Sequence, residues 1–257
     1  NSLVLFDINQ ERVARNILLD NAGPQAVGLA ENKLYISADN SDSILILNRT
    51  SLEKIKSLPA GDDPGAVSVY NQKVFIANYA YDHYDAESYT SYYNQGTVTV
   101  VDAVADTIAA TIKVGMNPSA LLTEQDLIYV LCTGDYGSKN SWIYRINPTS
   151  LKVIDSLNLE TTGVTKITSD RQGNLYSVAF SYNTMSNTII SYNRGLEKSS
   201  LKTFCNYGDG ITFTDDHILI CKIPDYATPG TLMILQNDLS VVDSVQVGIG
   251  PSQIINE

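Results

Sequence analysis

The chain has 257 residues, of which 44% are hydrophobic and 18% charged, and its net charge is −11. That composition fits a globular domain with a sizeable core and argues against disorder. The acidic balance argues against nucleic-acid binding, which rests on Lys and Arg, and no apolar run approaches the roughly 18 to 20 residues of a membrane span.

From the N-terminus onward, six short β-rich runs each end in a polar residue. They cover 2–7, 43–48, 97–102, 142–147, 188–193 and 231–236, and end in Asp7, Asn48, Asp102, Asn147, Asn193 and Gln236. The intervals between those residues are 41, 54, 45, 46 and 43. A period near 43 with one long insertion suits four strands and their turns, and no segment sustains a helical period. After each run comes a turn and another strand, such as 106–114. A tight corner follows, often Gly-x-x-Pro: Gly61 to Pro64, Gly115 to Pro118, Gly248 to Pro251, with Asn21 to Pro24 as a variant. The corners at Thr161 to Val164 and Asn206 to Asp209 lack the proline. Glycine permits positive φ and proline fixes φ without an N–H, so the pair stops one strand and redirects the chain. A short run such as 66–70 then leads into a strand of the 33–37 type, repeated at 73–77, 127–131 and 174–178.

This order resembles the YVTN family of β-propeller repeats. The residues that carry the resemblance are the Gly-x-x-Pro corners, the Lys-Leu-Tyr-Ile-Ser strand at 33–37, and the stretch 96–118, Gly-Thr-Val-Thr-Val-Val-Asp through Ile-Lys-Val-Gly-Met-Asn-Pro. It implies an all-β fold, a single β-propeller domain over 1–257. Naming the strands of a blade inner, second, third and outer, the chain opens at a third strand, 2–6, and closes with an inner strand, 252–255. The count supports six four-stranded blades, with seven as the alternative. One blade would combine the N- and C-terminal strands, its second strand preceding Asn1, and an export segment would precede that.

Enzyme signatures are sparse. There is no Gly-x-Ser-x-Gly elbow, no His-Glu-x-x-His and no phosphate loop, and the two histidines, His83 and His217, fall in different repeats. The expectation is a protein that is not an enzyme, holds no metal and needs no cofactor. The alternative is a hydrolase or lyase built on carboxylates or a metal at the channel mouth. Asp39, Asp135 and Asp225 follow second strands at equivalent places. They could ring the channel and bind Ca²⁺ through oxygen, or serve their own turns. The three cysteines, Cys132, Cys205 and Cys221, have no framework spacing and are expected as buried small hydrophobes, a Cys205–Cys221 pair being the alternative.

Tyrosine stands out, with 16 residues against five Phe and one Trp. Six of them, Tyr79, Tyr81, Tyr84, Tyr89, Tyr92 and Tyr93, lie in the insertion that stretches one repeat to 54. Loops carrying Tyr136, Tyr182, Tyr207 and Tyr226 are expected on the same face. A tyrosine is a rigid apolar plate with a hydroxyl handle, which suits a recognition surface. The candidate ligand-binding set is therefore Tyr79, Tyr81, Tyr84, Tyr136, Tyr182, Tyr207 and Tyr226, with Asn40, Asn78, Asp135, Asn183 and Asp225 as polar partners. The 79–93 segment is expected to act as a lid.

The chain also resembles YVTN-type surface-layer propellers of Bacteroidetes, some of them outer-membrane lipoproteins that capture cobalamin and pass it to a transporter. The segment 239–251 carries that likeness. It implies a surface-exposed or periplasmic protein of a bacterial envelope, which binds cobalamin and meets an outer-membrane transporter. A glycan-binding module and a protein-interaction scaffold are the alternatives.

Overall fold

The computed structural model describes residues 1–257 apart from 171, 182, 183, 185, 194, 206–209, 215, 226, 252, 253 and 255–257; for 199, 204 and 205 it describes the backbone alone. Strands β1 (Ser2–Asp7) and β2 (Arg12–Leu18) form a hairpin. The first four-stranded sheet is β3 (Pro24–Ala30), β4 (Lys33–Ala38), β5 (Ser43–Asn48) and β6 (Lys54–Pro59). The second opens with β7 (Pro64–Tyr70) and β8 (Lys73–Asn78). An inserted hairpin of β9 (Tyr81–Asp85) and β10 (Thr90–Tyr93) comes next, and β11 (Thr97–Asp102) and β12 (Thr107–Lys113) complete the sheet. The third is β13 (Pro118–Glu124), β14 (Leu127–Cys132), β15 (Trp142–Asn147) and β16 (Lys152–Asn158). The fourth is β17 (Val164–Ser169), β18 (Leu175–Ser181), β19 (Ser186–Tyr192) and β20 (Lys198–Cys205). The fifth is β21 (Ile211–Thr214), β22 (His217–Lys222), β23 (Pro229–Leu235) and β24 (Val241–Ile249).

All pairings are antiparallel, and the inner strands β3, β7, β13, β17 and β21 touch in succession. The sheets are thus the blades of a β-propeller, as the repeat implies. Most of the expected closing strand, 252–255, lies outside the described residues. Among the described residues no helix is long and apolar enough to cross a membrane.

The core is a series of clusters between neighbouring blades. Tyr35, Ile44 and Ile46 of the first sheet meet Val74 and Ile76 of the second, all of them fully buried. Phe75, Val98 and Val100 of the second meet Ile128, Val130 and Ile146 of the third. Each such side chain stabilises the fold by roughly 1.5–3 kcal/mol through removal from water. Leu3 and Ile17 of the β1–β2 hairpin pack in the same way on Leu45 and Leu47 of the first sheet.

The polar residue that ends five of the six third strands has a definite job. Asp7, Asn48, Asp102 and Asn147 each use Oδ1 to accept the backbone N–H groups two and three residues on, at 2.8–3.0 Å. Asn193 accepts from Gly195 and Glu197 in a one-residue wider turn. Asp and Asn recur because a short side-chain acceptor closes such a turn. The pairing of third with outer strand also shifts register at one fixed place, two residues before the cap, in all six sheets that carry a third strand. A bulge of this kind sharpens the right-handed twist that each blade needs.

The corners obey a similar rule. The residue just before Pro24, Pro64, Pro118 and Val164 has positive φ in every case: Gly23, Asp63, Asn117 and Gly163. Glycine, Asp and Asn are the residues that tolerate that conformation. The fourth corner therefore keeps its geometry after losing its proline.

Gly96 has a different reason. A Cβ there would lie 2.2 Å from the Gly115 carbonyl oxygen and 2.5 Å from Pro118 Cδ. Backbone and a proline ring cannot move aside cheaply. Gly96→Ala is expected to destabilise the fold by about 2–3 kcal/mol through overpacking. Urea denaturation that places the variant within 0.5 kcal/mol of the parent would contradict this.

Candidate functional site

The 79–93 insertion is a hairpin. Its strands alternate, so directly opposed residues share a face. His83 stacks on Tyr92 with ring centroids 4.6 Å apart and planes 6° off parallel. Tyr81 meets Tyr93 edge-on at 5.6 Å. The turn is closed by Asp85, whose carboxylate accepts from Glu87 N at 2.8 Å and Ser88 Oγ at 2.7 Å. The Ser88 hydroxyl, then the Glu87 amide, hold its carboxyl below the usual range. At the base, Asn94 N donates to Ala80 O at 2.8 Å.

The other face of the hairpin carries Tyr84 opposite Ser91. Across from it stands the loop between β14 and β15. Asp135 organises that loop, its carboxylate accepting from Gly137 N (2.9 Å), Lys139 N (2.8 Å) and Ser138 Oγ (2.7 Å). Burial works to raise the Asp135 carboxyl, but these hydrogen bonds outweigh it and hold it below the usual carboxylate range. Tyr136, at φ +62°, is turned outward by this loop and is 37% exposed.

Between hairpin and loop lies a cavity of about 690 Å³. The hairpin lines it with Tyr84, Tyr89, Thr90 and Ser91, the loop with Asp135, Tyr136, Gly137 and Ser138. Tyr84 is 51% exposed and Tyr89 83%. Tyr93 supports the wall from behind; burial, then the neighbouring Tyr136, raise its hydroxyl to about 12.

The structure thus brings Tyr84, Asp135 and Tyr136 of the expected set to one cavity, with Tyr81 supporting the hairpin beside it. It places the others elsewhere. Asn78 is fully buried inside its blade, its Nδ2 donating to Thr97 Oγ1 and Thr99 Oγ1 at 2.9 Å each. Tyr79 is half-buried beside the Asp39 carboxylate, and burial, then Asp39, push its hydroxyl up. Asn40 sits in the 3-10 turn Asp39–Ser41, its amide donating to Ala22 O. Asp225 caps its own loop, accepting from Ala227 N and Thr228 N. Tyr182, Asn183, Tyr207 and Tyr226 lie outside the described residues.

Tyr89, Thr90, Ser91 and Ser138 complete the wall, although sequence reasoning did not place them there. Ser91 stands directly opposite Tyr84 across the hairpin, and Tyr89 lies in the turn that Asp85 closes. The aspartates expected at the channel mouth do not converge. Asp135 and Asp225 serve their own loops, and Asp39 accepts from Gln25 Nε2 at 3.1 Å. Burial, then the nearby Asp39 and Asp42 carboxylates, raise Asp63. Among the described residues no three His, Cys, Asp or Glu side chains come close enough to hold a metal ion. Cys132 and Cys221 are buried, and the side chain of Cys205 lies outside the description.

No family model matches the sequence, and no curated protein sequence matches it. Solved structures do. Hydrazine synthase of Kuenenia stuttgartiensis superposes with a TM-score of 0.70 at 15% identity, over 90% of this chain and 68% of that one. BamB of Moraxella catarrhalis gives 0.66 at 13%, over 100% and 73%. The computationally designed Ika8 protein gives 0.66 at 10%, over 100% and 85%. Identities this low carry the β-propeller fold and nothing further.

Proposed function

We propose that this propeller is a non-enzymatic ligand-binding protein of a bacterial cell surface, and that the cavity between the β9–β10 hairpin and the Asp135 loop is its site. One observation carries the proposal: three exposed tyrosines, Tyr84, Tyr89 and Tyr136, face one hollow edged with hydroxyls. Apolar plates with a few orienting polar groups are what a small-ligand site requires. The Asp135 carboxylate is engaged by its own loop, which suits a scaffold better than a general base. The resemblance to YVTN surface propellers supports an envelope location, an export or lipoprotein segment before residue 1, and a transporter as partner.

That resemblance makes cobalamin the first ligand to test. The lining favours a glycan as the second reading, because tyrosines stack on sugar rings and hydroxyls bond to them. Calorimetry of the parent and of the Tyr84→Ala/Tyr136→Ala double variant, with cyanocobalamin and a panel of neutral oligosaccharides, is the test. The parent is expected to bind one class, and the variant to lose about 2–3 kcal/mol of affinity, since both residues would be anchors. Equal binding by parent and variant, or no binding by the parent, would defeat the proposal.

A further inference from the structure

A second hollow adjoins the first. It measures about 510 Å³ and reaches from the Asp135 loop to the fourth sheet. Tyr136 and Gly137 line both hollows, so the loop forms a low ridge between them. The far lobe is walled by Thr161, Thr162, Phe180, Thr188, Leu201 and Thr203.

We propose that the two hollows form one continuous groove whose ligand is an extended neutral oligosaccharide. The inference rests on the ligand-binding reading above and adds the class and length of the ligand. Two features point to it. Both lobes pair apolar side chains with hydroxyls: the rings of Tyr84 and Tyr89 with Thr90 and Ser91 in one, the Phe180 ring and Leu201 with the threonines in the other. A sugar ring has an apolar C–H face and a hydroxyl rim, so a row of such rings repeats that demand from lobe to lobe.

The charges are balanced. Glu160 and Lys198 are both in the far lobe, and Asp135 is taken up by its own loop. With a net charge of −11 on the chain, an acidic polymer would be repelled.

The test uses ladders of neutral homo-oligosaccharides, two to eight units long, in α- and β-linked glucose, β-linked mannose and β-linked N-acetylglucosamine series. Binding is read by calorimetry on the whole chain. In the series that binds, affinity should climb with length and then level off, gaining roughly tenfold or more between the shortest and longest members. The Thr188→Val/Thr203→Val variant removes two far-lobe hydroxyls that lie 3.0 Å apart and keeps the side-chain shape. It should erase most of the length-dependent gain and leave the shortest members bound as in the parent. Tyr84→Ala should weaken every member.

Affinity that is flat with length, or a far-lobe variant that binds the longest member as well as the parent does, would overturn the extended groove. Binding of cobalamin or a short sugar that depends on Tyr84 and Tyr136 alone would do so too, while leaving the ligand-binding reading intact. Binding of none of these probes would overturn both.

Discussion

Raising the pH from 10 to 12 is expected to unfold this protein cooperatively. An unfolded tyrosine ionises near pH 10. In the fold, Tyr176 and Tyr192 are held up to about 12, burial being the main cause, with Asp170 and Glu160 adding to it respectively. Tyr35 is also pushed up, by burial first and then by its hydrogen bond to Asp106. All three side chains are at most 2% exposed. Each is protonated in the fold at a pH where the unfolded chain has given up the proton. The stabilising difference is whole below pH 10 and is lost as pH climbs toward the folded value. At about 1.4 kcal/mol per tyrosine per pH unit, Tyr176 and Tyr192 together cost on the order of 5 kcal/mol by pH 12, and Tyr35 adds to this in the same direction. Domains of this kind hold only about 5–15 kcal/mol in all. Circular dichroism and tyrosinate absorbance, followed together, should change in one coincident transition. Tyr176→Phe and Tyr192→Phe should each move it to higher pH. Smooth tyrosinate formation with an unchanged β signal through pH 12 would refute the expectation.

Local chemistry made the blades legible. A left-handed residue before a proline, a polar cap two residues short of a tight turn and a β-rich run between them are all written within a few positions of one another. The same locality explains why the Thr161 to Val164 corner could be recognised without its proline, since Gly163 kept the conformation. The recurrent bulge left no mark, because any residue can occupy it. The tyrosine-rich insertion was legible as a surface feature and not as a hairpin, for it lacks the Asn-Gly or Asp-Gly signal of a two-residue turn. Which tyrosines reach the cavity depends on how the chain pairs and turns: Tyr84 reaches it from β9 and Tyr89 from the turn that follows, while Tyr79 lies beside Asp39. Asn78 looked like a loop residue and is a blade residue, because β8 runs one position past the apolar stretch 74–77.

Contacts across blades were least legible of all, and one polar cluster joins residues about seventy positions apart. Asp106 stands at the turn between β11 and β12 with φ +52°. Its two carboxylate oxygens each accept from Lys33 Nζ at 2.7 Å, and Tyr35 OH donates to Oδ1 at 2.6 Å. Lys33 also donates to Ala103 O at 2.8 Å. Lys33 and Tyr35 belong to the first sheet and Asp106 to the second, so the cluster fastens one blade to the next. The Lys33 and Asp106 side chains are each 17% exposed.

Removing one partner leaves the other charge with little water to replace it. In a fully buried pair that costs about 3–5 kcal/mol, and the partial exposure here reduces it to roughly 2–4 kcal/mol for Asp106→Ala. Asp106→Asn keeps an acceptor for Tyr35 and a side chain that tolerates positive φ, and removes only the charge. Its cost should be about half as large. A double-mutant cycle with Tyr35→Phe should give a coupling of about 1–2 kcal/mol, the range for side chains sharing one hydrogen-bond network. Denaturant unfolding of the four chains of the cycle and of the second Asp106 variant, midpoints and slopes together, supplies the numbers needed. If both Asp106 variants unfold within 0.5 kcal/mol of the parent, this cluster contributes nothing to the fold.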